Sequence, residues 1–156
     1  MAQNLNQFNQ TPVVGDVDLQ SNPNPALFTC RFEDVSATAG TTLVPGEGVI
    51  LADLGANDPL VGPPIVDERA ANTDAIFGVN IYKTEKNSAV DGDIVQIAGS
   101  GAVVYMNAGA AINRGADVEF VLATPGNVIT QSTGTTLGVA LDKATAADQI
   151  IRVLVS

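Results

Sequence analysis

The sequence predicts an all-β fold: a small, pseudo-duplicated β-barrel or β-sandwich preceded by an extended N-terminal arm. Hydrophobic residues make up 46% of the chain but aromatic residues only 4%, and a core of Val, Ile and Leu favours strands. From Leu27 onward, Gly, Pro, Asn and Asp interrupt the chain about every eight to twelve residues, a spacing typical of short strands. The third observation is an internal repeat.

The repeat opens with AGTTLVPGEGV, residues 39–49, which returns as AGAAINRGADV, residues 108–118. In each copy a Gly supplies the positive φ of a tight turn and a Val begins the next strand. Two further blocks recur in the same order: GVNIYKT (78–84) matches GVALDKA (138–144), and DIVQI (93–97) matches QIIRV (149–153). Gly78 and Gly138 lie inside these strands, which indicates a close approach of two backbones.

The repeat predicts one β domain, residues 27–156, made of two similar units at about 35–98 and 102–156. Because each unit is too small to bury a large core alone, we expect both to pack together as one pseudo-symmetric barrel or sandwich. Residues 1–26 are rich in Asn, Gln and Pro, and we interpret them as an extended arm.

The strands are expected where short β-branched segments stand between turn residues. The last segment is evenly apolar except for Arg152, which favours an inner strand or one that a neighbouring subunit covers. Residues 56–74 contain three prolines, so a long surface excursion is expected there, with at most a helical turn at 67–72. The predicted strands are 27–32, 49–53, 76–83, 93–98, 102–106, 117–122, 136–141 and 149–155.

The composition argues against most enzyme classes. The chain has no histidine, which excludes Ser-His and Cys-His nucleophile pairs and the usual zinc ligand sets, and its one cysteine, Cys30, rules out an internal disulfide. A net charge of −10 disfavours nucleic acids and anionic membranes as partners. The sequence shows no signal peptide and no run long enough to span a membrane. We therefore expect no enzyme and no cofactor.

Asp91-Gly92-Asp93 is the best metal candidate, because Asp91 and Asp93 would offer two hard oxygen ligands close together. A hydrolase that uses both carboxylates is the corresponding enzyme hypothesis. The alternative, which we favour, is a D-G turn in which Asp93 opens the following strand.

The second unit resembles a known family. GAVVYMNAGAAINRGADV, residues 101–118, followed by TLGVALDKATAADQIIRVLV, residues 136–155, is similar to the capsid decoration, or cement, proteins of tailed phages. The resemblance covers residues 93–156 well and 35–97 more loosely. One departure is that the Gly usual before the last strand is replaced in Ala147-Asp148-Gln149.

The resemblance implies a homotrimeric virion protein, made in the host cytoplasm, that binds the major capsid protein on the outer surface of the head. Other phage components, such as a tail or head-fibre protein, and a carbohydrate-binding β-sandwich remain alternatives, although the chain has no Trp to form a sugar platform. The apolar final strand also predicts self-association. The candidates for contacts with the capsid or a second subunit are Phe8, Val13, Val14, Leu60, Ile65, Ile150 and Leu154.

Overall fold

The structure is a computed structural model that describes residues 11–19, 25–35, 41–55, 62–81 and 88–156. These residues form ten strands and no α-helix, so none of them lies in a helix that could cross a membrane, and the all-β fold class is confirmed. The strands are β1 (Leu27–Phe32), β2 (Gly48–Leu51), β3 (Ile65–Glu68), β4 (Gly78–Asn80), β5 (Ile94–Ala98), β6 (Val103–Ala108), β7 (Asp117–Phe120), β8 (Asn127–Thr130), β9 (Thr136–Ala140) and β10 (Ile150–Val155).

The two units do not share one barrel; each closes its own five-stranded barrel. The strand order is β1-β3-β2-β4-β5 in the first and β6-β8-β7-β9-β10 in the second, with the last strand paired back to the first. Each barrel has one parallel pair, β1 with β3 and β6 with β8, and its other pairs are antiparallel. The internal repeat therefore extends over whole barrels and includes β1, which the three matched sequence blocks did not reach.

The glycine turn of the repeat has the same geometry in both barrels. Gly46 and Gly115 both have a φ of +81°, a left-handed conformation that favours glycine. Each donates its backbone N–H at 2.7 Å, Gly46 to the carbonyl of Asn80 and Gly115 to that of Ala140. The repeated stretch is thus a turn that delivers the chain into β2 or β7.

A non-glycine residue adopts the left-handed conformation before the last strand. Asp148 has a φ of +63°, whereas its counterpart in the first barrel, Gly92, has +84°. Both donate a backbone N–H at 2.8 Å to the last residue of the barrel's first strand, Asp148 to Ala108 and Gly92 to Phe32. Asp adopts this conformation more readily than most residues, so the same turn forms although the usual Gly is replaced.

Two strands, β3 and β8, were not predicted from the sequence, and they occupy equivalent positions in the two barrels. β3 lies within residues 56–74, where the sequence predicted an excursion with at most a helical turn at 67–72; that prediction was wrong, because Asp67 and Glu68 belong to the strand. The proline pair just before β3 does not oppose it, since a strand can follow a proline, and the Pro64 carbonyl accepts the Arg31 N–H at 2.9 Å. β8 likewise was not predicted.

Each barrel buries its own aliphatic core, and the second core continues into the first barrel. Cys30, Phe32 and Val95 belong to the core inside the first barrel. The larger cluster fills the second barrel and also takes in Val79 and Ala98 from β4 and β5. The barrels are therefore joined by apolar packing as well as by the chain.

Gly78 and Gly138 sit where two backbones meet, as their positions within strands predict. A Cβ atom on Gly78 would lie 2.5 Å from the carbonyl oxygen of Ala98. A Cβ atom on Gly138 would overlap the carbonyl oxygen of Leu154. No side-chain rotation relieves either overlap, because the obstructing atoms belong to the backbone.

We predict that Gly138→Ala lowers the free energy of unfolding by about 3 kcal/mol, because β9 must move away from β10. The neighbouring Val139→Ala is the control and should cost only about 1 kcal/mol, since its side chain is partly exposed. Urea denaturation measures both. Equal destabilisation by the two substitutions would contradict the close approach.

Candidate interaction surface

The two metal candidates, Asp91 and Asp93, hold backbone turns. An Asp91 oxygen accepts the N–H of Asp34 at 2.9 Å, and an Asp93 oxygen accepts the N–H of Val90 at 2.9 Å. Gln149, the counterpart of Asp93, binds turn amides in the same way, at 2.7 Å from the N–H of Thr145. Within the described residues, no three His, Cys, Asp or Glu side chains gather as a metal site would require. The geometry therefore gives both carboxylates a role in the turn.

Three of the predicted interface residues lie on the surface. Val13 is 42% exposed, and Ile150 and Leu154 are 40% and 37% exposed on the outer face of β10. That strand alternates, with Ile151 and Val153 pointing into the core. The outward pair is the part of β10 that is accessible to another molecule.

The other four candidates are placed differently. Val14 is partly buried at the junction of the barrels, where it contacts Gly46 and Gly126. Ile65 is only 7% exposed, which leaves little of its side chain for a partner. Phe8 and Leu60 lie outside the described residues.

A buried arginine connects the two barrels. Arg69, just after β3, is 6% exposed, and its guanidinium carbon lies 4.8 Å from the ring centroid of Phe120 on β7. The ring also packs against Gly48, where a Cβ would overlap it. Burial lowers the pKa of Arg69, while the nearby carboxylates of Asp74, Glu47 and Glu119 raise it. The remaining cavity is about 10 Å³, room for roughly one water molecule.

Glu119, on β7 at the same junction, organises the loop that follows β8. Its carboxylate is 4% exposed and accepts the N–H of Ser132 at 3.0 Å, the hydroxyl of Ser132 at 3.1 Å and the N–H of Gly134 at 2.7 Å. These hydrogen bonds hold the pKa of Glu119 below its usual range, although burial opposes them. In the same loop, the N–H of Thr135 donates at 2.7 Å to the carbonyl of Asn72 in the first barrel. Sequence reasoning missed this junction because its members are distant in the chain.

Part of the segment interpreted as an arm lies on the second barrel. Asp18 donates its N–H to the Val103 carbonyl, and Tyr105 donates its N–H to the Asp16 carbonyl, both at 2.8 Å. Between these bonds Val17 forms an antiparallel bridge with Val104. Residues 15–18 therefore act as a short extra strand along β6.

An ion-pair network fastens this extra strand to the barrel. Arg152 on β10 donates to the Asp142 carboxylate through Nε and Nη2, both at 2.8 Å, and Nη1 reaches Asp18 at 3.3 Å. The paired arginine holds the pKa of Asp142 below its usual range. Asp18 is 4% exposed, so the arrangement is more than a surface contact.

The first barrel has an apolar surface that sequence reasoning did not single out. Leu27 and Phe28 on β1 are 42% and 41% exposed, and Leu51 on β2 is 55% exposed. The rings of Phe28 and Phe77 are 5.3 Å apart, and Phe77 lines an open groove with Leu51. We call Phe28, Leu51 and Phe77 the β1 patch. Its signal in the sequence is Leu27-Phe28, which follows SNPNP after one alanine.

Neither known protein families nor curated proteins match the chain. Among solved structures, the chain is similar to the head fibre gp8.5 N base of bacteriophage phi29. The TM-score is 0.54 at 16% sequence identity, over 85% of this chain and 95% of that chain. At this identity the likeness concerns the fold.

We predict that Glu119→Gln lowers the free energy of unfolding by about 2 kcal/mol at pH 7, because an amide offers only one acceptor oxygen to the three donors. The effect should depend on pH. A carboxyl whose folded pKa lies below its ordinary 4.5 stabilises the fold above that pH, and the contribution disappears as the pH falls through the folded pKa.

The difference between the native protein and Glu119→Gln should therefore shrink below about pH 4.5. Chemical denaturation from pH 7 to pH 3 measures it. Asp117→Asn, at an exposed site on the same strand, is the matched control and should change stability by less than about 0.5 kcal/mol. A difference that stays constant down to pH 3 would contradict the role of the ionised carboxylate.

Proposed function

We propose that this protein is a non-enzymatic structural protein of a tailed-phage head, which binds the lattice of the major capsid protein on the outer surface and stabilises it. The observation that carries the proposal is the likeness to the phi29 head fibre N base, because it extends over 85% of this chain and 95% of that one. The similarity of residues 101–118 and 136–155 to decoration proteins supports the same assignment independently.

The chemistry of the described residues fits a structural role. Asp91 and Asp93 hold turns, and Glu119 organises a loop. Cys30 is buried in the first core, and burial raises the pKa of its thiol, which lowers the fraction of reactive thiolate. These groups act within the fold, and the exposed apolar side chains serve contacts with other proteins.

The mechanism we propose is multivalent attachment. A homotrimer would present three copies of each contact surface to the symmetric lattice, and linked contacts gain avidity although each one is weak. The clamped capsid subunits would then separate only when several contacts break together.

A head-fibre base is the second candidate, favoured because the structural neighbour is itself the base of a head fibre. The two candidates differ in where the protein sits. The decoration hypothesis places the protein at every equivalent lattice position, and the fibre-base hypothesis places it at selected positions with a projecting fibre.

We predict that the purified protein co-sediments with expanded phage heads that lack it, and that unlabelled protein competes for the same positions. Binding that saturates at all equivalent lattice positions in electron micrographs would support decoration. Binding at selected positions would support the fibre base. If neither immature nor expanded heads retain the protein, both functions are wrong.

We also predict a trimer in solution, with a mass about three times 16.0 kDa by light scattering at micromolar concentration. Placing charge on the outer face of β10 should dissociate it, so the double variant Ile150→Glu, Leu154→Glu is expected to elute as a monomer. Leu122→Glu, at a 40% exposed site on the same barrel, is the control and should leave the mass unchanged. A monomeric native protein would contradict self-association through β10.

A further inference from the structure

The first half of β1 has an open edge in the described part of the chain. β1 pairs with β5 from Leu27 to Arg31, but with β3 only at Arg31 and Phe32. Hydrogen bonds alternate between the two sides of a strand, and the bonds from Gly99 to the Ala26 carbonyl and from Phe32 to the Asp93 carbonyl fix that alternation. The backbone groups of Leu27 and Thr29 therefore face away from β5, toward the side that β3 does not reach.

The second barrel shows what belongs on this edge. β6 also pairs with its parallel neighbour only at its end, through Asn107 and Ala108. The register makes Val103 and Tyr105 the counterparts of Leu27 and Thr29, since they face Leu154 and Arg152 of the closing strand. Their outward groups are hydrogen-bonded to residues 15–18.

The lack of a described strand along this edge also explains why the side chains at the start of β1 are exposed. Leu27 and Phe28 are 42% and 41% exposed, whereas their counterparts Val103 and Val104 are 4% and 0% exposed. Val17 packs against the core that includes Val104. An apolar residue at the equivalent place would cover Phe28 in the same way.

The local charges indicate what kind of strand fits. In the second barrel Asp18, at the end of the strand Asp16-Val17-Asp18, pairs with the cation of Arg152. In the first barrel the residue equivalent to Arg152 is Gln96, and it faces Thr29, so a neutral amide stands where the second barrel has a cation. A strand with an apolar residue between two neutral hydrogen-bonding residues is complementary to this edge.

The chain contains such a strand: Asn4-Leu5-Asn6 repeats the pattern of Asp16-Val17-Asp18 with amides in place of carboxylates. We propose that the open edge of β1 is a strand-binding site and that its occupant is this N-terminal segment, antiparallel to β1 with Leu5 opposite Phe28. The segment lies outside the described residues. Supplied within one copy it would complete the first barrel, and supplied by a neighbour it would link copies by strand addition.

A cysteine pair tests the register. In a Cys30→Ala background, Leu5→Cys with Phe28→Cys should form a disulfide in high yield on mild oxidation, because opposed residues of an antiparallel pair lie within disulfide reach. A non-reducing gel separates a link within one chain from a link between two copies, and either supports the site. The control pairs Leu5→Cys with Val90→Cys, which is equally exposed on the same barrel. Cross-linking no better than this control would overturn the proposal.

Amide exchange tests the site in the otherwise native sequence, should the cysteine variants fold poorly. If the edge is occupied, the Thr29 N–H should exchange as slowly as that of Tyr105, its hydrogen-bonded counterpart. Leu5→Asp should accelerate exchange at Thr29 at least tenfold and leave Tyr105 unchanged. Fast exchange at Thr29 in the native protein would overturn the site, and protection that survives Leu5→Asp would overturn the occupant.

Discussion

The short parallel pair in each barrel is the constraint on which the rest of the structure depends. β1 meets β3, and β6 meets β8, over only two residues each. The pair is enough to close a five-stranded barrel, but it leaves half of the first strand without a partner on that side. Buried backbone groups must be hydrogen-bonded, and in the second barrel this half is buried, with Val103 and Val104 only 4% and 0% exposed. Residues 15–18 provide hydrogen bonds there.

The junction between the barrels shows how two small cores become one assembly. Arg69 is buried against Phe120 and near Glu119, in surroundings where an unpaired charge would be costly. Glu119 in turn accepts hydrogen bonds from amides of the loop whose Thr135 N–H donates to the Asn72 carbonyl. If one barrel slid over the other, these contacts would break together. The polar contacts therefore fix the relative position of the barrels, in addition to the apolar packing between them.

Features that depend on a few neighbouring residues could be predicted from the sequence, whereas features that depend on distant contacts could not. The turns at Gly46 and Gly115 depend on a glycine with positive φ, and such a requirement is visible within a few residues. β3 and β8 could not be found in this way, because each is only four residues long, too short for a clear periodicity, and the parallel pair that closes its barrel involves a strand that is not its neighbour in the chain. Ile65 illustrates the consequence for the candidate site: without β3 its burial could not be anticipated, and it was predicted as an interface residue. Phe28 is likewise exposed because no described strand lies along the open edge of β1, and the periodicity of the sequence cannot show this.

A repeat of whole barrels allows the two copies to be compared position by position, and their differences are more informative about function than their shared backbone. Tyr105 and Arg152 occur in one barrel, and Thr29 and Gln96 at the same places in the other. Barrel closure does not require this change, since the pairing is the same in both. What differs is the chemistry presented to a strand lying along the edge. The edge beside Arg152 already holds residues 15–18. We infer that the edge at Thr29 and Gln96, with the apolar β1 patch beside it, suits a different partner strand.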